Sequence, residues 1–265
     1  MTFEEIKRNL HLIAIAFEME MKQNLTDAFI IFGILVQPMI IAFLALWMLK
    51  GQKPDYAIFV AVGSGMTGIW TTLLFNSGNS ITGERWTGTL ESLVGAPVPL
   101  RIVIFGKTLA DITQSLLSVL VCYTLISLIL GFALEISQPI LFAFSMVLTL
   151  FSFVCFGLIM STLFVLNPDI QRFQNGLEFP VYILAGFLFP IAVLPYWTTP
   201  ISYLLTPYWA AIALHGTSSG NLSTKEILFA WLMMIVFSIF YLLISKYLFK
   251  KVLFKARSDA TLNLQ

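Results

Sequence analysis

Six apolar stretches, each nearly free of charge, limit this chain to a very short list of folds. Inside hydrocarbon there is no water to bond the backbone N–H and C=O groups. A crossing segment must satisfy them internally, as a helix does, or share them around a closed barrel. A helix needs about 20 mostly apolar residues to cross. The stretches lie near Ala28–Leu49, Tyr56–Ser80, Ile102–Leu130 and Ile140–Leu166, then from Leu177 to an interruption at Pro190, and near Ile227–Leu248. Their long apolar runs lack period-two alternation, which argues for helices over barrel strands. Charged residues make up 11% of the chain, against about 25% in a soluble domain. The sequence predicts an all-α membrane protein: one transmembrane domain over 1–265, with six transmembrane helices.

Charge sets the expected orientation. With the N-terminus inside, twelve of the fifteen Lys and Arg residues are cytoplasmic, and Lys50, Lys53 and Lys225 lie outside. Cytoplasmic loops carry the Lys and Arg excess, so both termini are expected in the cytoplasm. Met1-Thr2-Phe3-Glu4-Glu5 places acids where a secretory signal carries bases, and no cleaved signal is expected. Phe3, Ile6, Leu10, Ile13 and Phe17 recur at helical spacing, with Glu4, Lys7, Arg8, His11 and Glu18 largely off that stripe. Residues 1–25 are expected to form an amphipathic helix in the membrane interface, rather than one packed on a neighbour. Residues 190–222 are apolar but broken by Pro190, Pro195, Pro200 and Pro207, with Tyr196-Trp197 and Tyr208-Trp209 suited to the headgroup level. Short re-entrant or interfacial helices on the outer face are expected there, with a loop over 216–223. The tail 258–265 reads as disordered.

Several chemistries lack their residues. There is no Gly-x-x-x-x-Gly-Lys-Ser/Thr phosphate cradle, so ATP hydrolysis through a P-loop is not expected of this chain. His11 and His215 fall on opposite sides of the membrane and cannot share a metal or a catalytic dyad. Cys122 and Cys155 both sit in apolar runs and read as packing residues. A net charge of +1 implies no nucleic-acid surface. Asp111 and Glu178 are the acids inside the apolar runs, both toward cytoplasmic ends, and read as snorkelling or locally paired groups. No enzyme, metal or cofactor of this chain's own is expected.

One compact polar segment interrupts the pattern: Gly83-Glu84-Arg85-Trp86-Thr87-Gly88-Thr89-Leu90-Glu91-Ser92-Leu93. It lies in the 81–100 loop after the second apolar run, on the expected cytoplasmic side. Thr87 to Leu93 is long enough for one to two helical turns, with Thr87 or Gly88 as cap and Glu91 in the first turn. Leu90 and Leu93 would then share a face that suits a groove on a partner. The other reading is a solvated loop whose charges only set topology. Pro97 and Pro99 end the segment.

Glu84-Arg85, then Gly88-Thr89-Leu90-Glu91, Leu93 and Ala96-Pro97, resemble the signature of the ABC-type-2 permeases, the membrane subunits of ATP-binding cassette exporters. The N-terminal amphipathic helix, Asn167-Pro168 and the Pro-rich segment after the fifth span are similar to that family as well. The resemblance covers essentially the whole chain. It implies two permease copies, identical or not, a separate ATPase chain that holds ATP and Mg, and a multi-pass place in a bacterial plasma membrane. It also implies that 81–100 holds a coupling helix, with Glu84, Arg85, Gly88, Thr89, Leu90 and Glu91 as its coupling residues. Trp86 departs from the small or polar filler common there.

Counted at about 100° per residue, Ser64, Thr67, Gly68, Thr71, Thr72, Phe75, Asn76 and Asn79 share one side of the second run. A polar stripe faces protein or water, not lipid. It is either a packing surface, with Ser64 and Gly68 as a small pair, or a cavity wall. In the resembling family the second and fifth spans line the route, which implies Thr67, Thr71, Phe75 and Asn76 opposite Tyr182, Phe187 and Phe189. Such a route, without buried charge, suits a hydrophobic or amphipathic drug-like compound, such as an antibiotic. The alternatives are a lipid-linked saccharide or, in other classes, a stand-alone carrier or channel and a non-transporting scaffold.

Overall fold

The computed structural model describes residues 3–48, 55–96, 98–130 and 135–258. Among the described residues all regular structure is helical. In chain order, α1 (Phe3–Asn24) is followed by α2 (Ala28–Trp47) and α3 (Tyr56–Trp86). The short α4 (Leu90–Gly95) leads into α5 (Leu100–Ile129), then α6 (Pro139–Leu166), α7 (Gln174–Leu184), α8 (Thr206–Ser219) and α9 (Thr224–Ser258). Five of these, α2, α3, α5, α6 and α9, are long and apolar enough to cross a membrane.

Local chemistry sets several boundaries. Asp27 caps α2 by accepting from the Phe29 and Ile30 amides at 2.8 and 3.4 Å. Pro139 opens α6, where a missing N–H costs nothing. Ser223 and Glu226 cap α9 reciprocally, each side chain reaching the other's backbone amide.

The fifth expected span is not one long helix. The stretch from Leu177 folds instead as the eleven-residue α7 and the fourteen-residue α8, joined by short 3₁₀ and α turns. At 1.5 Å per residue these are about 16 and 21 Å long, short of the ~30 Å hydrocarbon core. The break precedes Pro190: α7 stops at Leu184, and Gly186 makes the turn at φ +72°. The loop expected over 216–223 is also shorter, because α8 continues to Ser219 and Gly220 ends it at φ +71°. The expectations for Lys50, Lys53, Pro97 and the tail 259–265 fall outside the described residues.

α3 is the axis of the bundle. Its most apolar stretch is 89% buried, against 17–44% for the other long helices. It can be central because its polar residues are quiet: Ser64, Thr67 and Thr72 donate to carbonyls one turn back, at 2.6–2.9 Å. Its small residues admit neighbours closely. A Cβ on Gly68 would lie 2.5 Å from Ser118 of α5 and 2.6 Å from Pro38 of α2. A Cβ on Gly63 would meet the Phe187 carbonyl oxygen at 1.8 Å. Around this axis α9 packs along α6, α1 along α5, and α8 against α3, α6 and α9.

α1 buries one side against the bundle and leaves part of its apolar stripe outside. Ala16, Glu20 and Asn24 are buried, whereas Ile6 and Leu10 are 44% and 61% exposed. The Gly106 Cα of α5 comes close to Ile13 and Ala16. The helix is thus packed on a neighbour. The reason is polar: Glu20 and Asn24 have partners on α5, as described next.

Candidate functional site

The polar segment of the sequence is divided between two helices. Gly83, Glu84, Arg85 and Trp86 form the last turn of α3, so that helix runs past Ser80. Gly88 at φ +73° turns the chain, and Thr89, not Thr87 or Gly88, occupies the N-cap position of α4. Leu90 is 2% exposed and packs among Ile81, Leu100, Ile104 and Leu158 of its own chain. It anchors α4 internally, and so cannot offer its side chain to a partner's groove. What the segment presents outward is Trp86, 72% exposed, with Thr87, Gly88, Thr89 and Ser92.

This tip is fixed to the bundle through charge. The Lys107 ammonium of α5 binds Glu84 of α3 and lies 2.9 Å from Glu20 of α1, with all three side chains 11–15% exposed. Glu84 also accepts from the Thr89 hydroxyl, which ties the end of α3 to the cap of α4. One turn deeper, Asp111 is fully buried, accepting from Asn24 at 2.7 Å and Ser77 at 3.0 Å. Three helices therefore meet on one cation.

A second polar cluster lies between α2, α3 and α7. Glu178 is 5% exposed. Its Oε1 is within reach of Gln37 Nε2 at 2.8 Å, Thr71 Oγ1 at 2.8 Å and the Tyr182 hydroxyl at 2.7 Å. Thr71 and Tyr182 are also 2.6 Å from each other. Gln37, Thr71 and Glu178 border a cavity of about 180 Å³ whose wall also includes Phe29, Phe32, Phe75 and Asn76. Two π-helical turns, Phe32–Val36 in α2 and Leu73–Ser77 in α3, form part of it. Such turns are rare and gather at functional sites.

The model of the ABC-2 type transporter family matches residues 11–219. The chain belongs to that family. It is also similar to ABC transporter G family member 20 of Dictyostelium discoideum, 27% identical over 169 residues. That match covers 63% of this chain and 23% of the relative, so the chain spans about a quarter of that protein's length. As a member of the ABC-2 type transporter family with several helices of spanning length, it is an integral membrane protein.

The family member's structure brings some expected residues together and separates others. Thr71, Phe75 and Asn76 line the cavity. Thr67 is fully buried beside it, its carbonyl 3.4 Å from the Tyr182 hydroxyl. Tyr182 stands behind Glu178 in the same network. Phe187 is fully buried away from the cavity wall, and its carbonyl meets His215 Nε2 at 3.1 Å. The α3 stripe is thus both surfaces at once: Ser64 and Gly68 pack, and Thr71 to Asn76 border space. At the tip Glu84 and Thr89 are bonded to each other, Arg85 is half-buried and Gly88 makes the turn. The Glu91 side chain lies outside the described residues.

A buried acid, Glu178, stands on the cavity wall beside Thr71, Phe75 and Asn76. Sequence reasoning noted Glu178 and Asp111 as locally paired groups, and polar partners do surround both. It missed Gln37, Glu20 and Lys107 as their company. A signal was present: Gln37 is the polar residue embedded in the first apolar run.

Proposed function

We propose that this chain is the membrane permease subunit of an ATP-driven exporter and forms the path for a hydrophobic or amphipathic compound. ATP is hydrolysed by a separate ATPase chain that docks on the cytoplasmic tip at Trp86–Thr89, and a second permease copy completes the path. Family membership supports the class. The observation that carries the mechanism is the run of α3 from cavity to tip, interrupted only by the Leu73–Ser77 π-turn and a turn at Gly78–Asn79. Thr71, Phe75 and Asn76 at the cavity and Trp86 at the tip belong to this one helix. From Asn76 to Trp86 is about 15 Å of helix. Lys107 clamps Glu84 near the tip, so force on α4 is delivered to the bundle rather than lost in a loop. The Leu73–Ser77 π-turn is where α3 can yield, next to the cavity.

The apolar wall of Phe29, Ile30, Phe32 and Phe75 favours an amphiphile over a saccharide. The test is a pull-down of the full chain in mild detergent, followed by reconstitution with the recovered partner. A P-loop ATPase should co-purify, and Trp86→Ala should weaken its binding. Recovery of no ATPase, together with solute movement in liposomes lacking ATP, would replace the exporter by a stand-alone carrier.

A further inference from the structure

Glu178 is a buried carboxylate for which the described residues supply no counter-charge. Among the described residues no Lys, Arg or His forms an ion pair with it, and no donor reaches its Oε2. Glu20 and Glu84 differ, because they share Lys107. Burying a charge is costly unless it is paired. Neutral donors hold Glu178 by one oxygen, at the wall of an open cavity.

The remaining wall has its own chemistry. Phe29, Phe32 and Phe75 provide aromatic surface, with Phe29 and Phe75 edge to face at 6.4 Å. Aromatic faces attract cations, and aromatic cages recognise quaternary ammonium groups. The cavity, about 180 Å³, compares with the roughly 150 Å³ that holds a benzene. It admits a head of about one ring.

We propose that this cavity binds a monovalent organic ammonium ion: its charge against Glu178 and its apolar body against the three phenylalanines. This names the substrate class within the exporter reading and rests on that reading for its role in transport. The ammonium can come from a free amphiphilic amine or from a lipid headgroup.

The test uses the full chain in nanodiscs of phosphatidylglycerol, which has no ammonium, with empty discs subtracted. The probe is radiolabelled benzyltrimethylammonium. Saturable binding is expected in the wild type, with the uncharged carbon isostere neopentylbenzene competing at least tenfold more weakly. Glu178→Gln, checked for a monodisperse profile and an unchanged unfolding midpoint, should lose binding tenfold or more. Phosphatidylethanolamine added to the discs assigns the source: displacement of the probe points to the headgroup, and no displacement points to a free amine. The proposal is overturned if the wild type shows no saturable binding, if the isostere competes equally, or if folded Glu178→Gln binds within twofold of wild type. The isostere comparison needs no variant and decides the matter even if Glu178→Gln fails to fold. If an ATPase couples to the chain but the ammonium does not bind, the cavity assignment falls alone. If the ammonium binds in this pattern and no ATPase is recovered, the exporter reading falls alone.

Discussion

The Lys107 cluster and the Glu178 cluster attach to α3 on either side of its Leu73–Ser77 π-turn, and they are built in opposite ways. Around Lys107, two glutamates from two other helices close on one cation, with all three side chains 11–15% exposed. Around Glu178, neutral donors orient a carboxylate that faces space. Both clusters hold three helices together. The first finds its cation within the chain and acts as a rivet. The second has none among the described residues and borders a cavity. Buried charge alone does not separate structure from function here; the location of the counter-charge does.

That contrast can be broken most directly at Lys107. Replacing it by Met leaves Glu20 and Glu84 in place without their cation, and loss of one member of a buried ion pair costs about 3–5 kcal/mol. Thermal unfolding in detergent should show the largest drop of any variant considered. If Lys107→Met unfolds like wild type, the rivet is not one. A smaller loss is expected at the other cluster. Tyr182→Phe removes one donor to Glu178, and a hydrogen bond to a charged group contributes about 1.5–3 kcal/mol. The same unfolding assay measures it, and an unchanged midpoint would show that Gln37 and Thr71 suffice.

Trp86→Ala tests the exposed tip. Its apparent affinity for the partner ATPase should fall about tenfold, equivalent to about 1.4 kcal/mol, while its own unfolding stays unchanged. A drop in stability instead would make Trp86 an internal packing group. The smallest effect on stability is expected from Glu178→Gln. The substitution removes an unpaired charge and keeps an acceptor for the same donors, so the unfolding midpoint should hold or rise. A marked fall would mean that Glu178 is paired after all, and the two clusters would then be alike.

Much of the frame was legible in the amino-acid order. Long runs such as Pro139–Leu166 satisfy their backbone locally, so a helix there depends on little else. Gly88-Thr89-Leu90 marked a turn and a short helix because a left-handed turn favours glycine. The direction in which that helix faces was not legible. Leu90 reads as a docking residue in isolation, but Ile81, Leu100 and Leu158, distant in sequence, close over it. The side of α1 that meets the bundle was not legible for a similar reason. Lys107 and Asp111, on a helix far along the chain, draw in Glu20 and Asn24. The fifth apolar run breaks at Gly186, before the expected interruption at Pro190, because composition records hydrophobicity but not a left-handed turn.

The sequence by itself determined that this is a helical membrane protein with a polar segment after its second apolar run, because helix formation in hydrocarbon and turn formation at glycine are local events. It also carried the family resemblance. The tertiary structure alone decided which charges are matched. Glu20, Glu84 and Lys107 stand on three helices, as do Gln37, Thr71 and Glu178. Whether a carboxylate meets a cation or a cavity depends on how those helices pack, and electrostatic pairing acts over a few ångströms of space, whatever the separation along the chain.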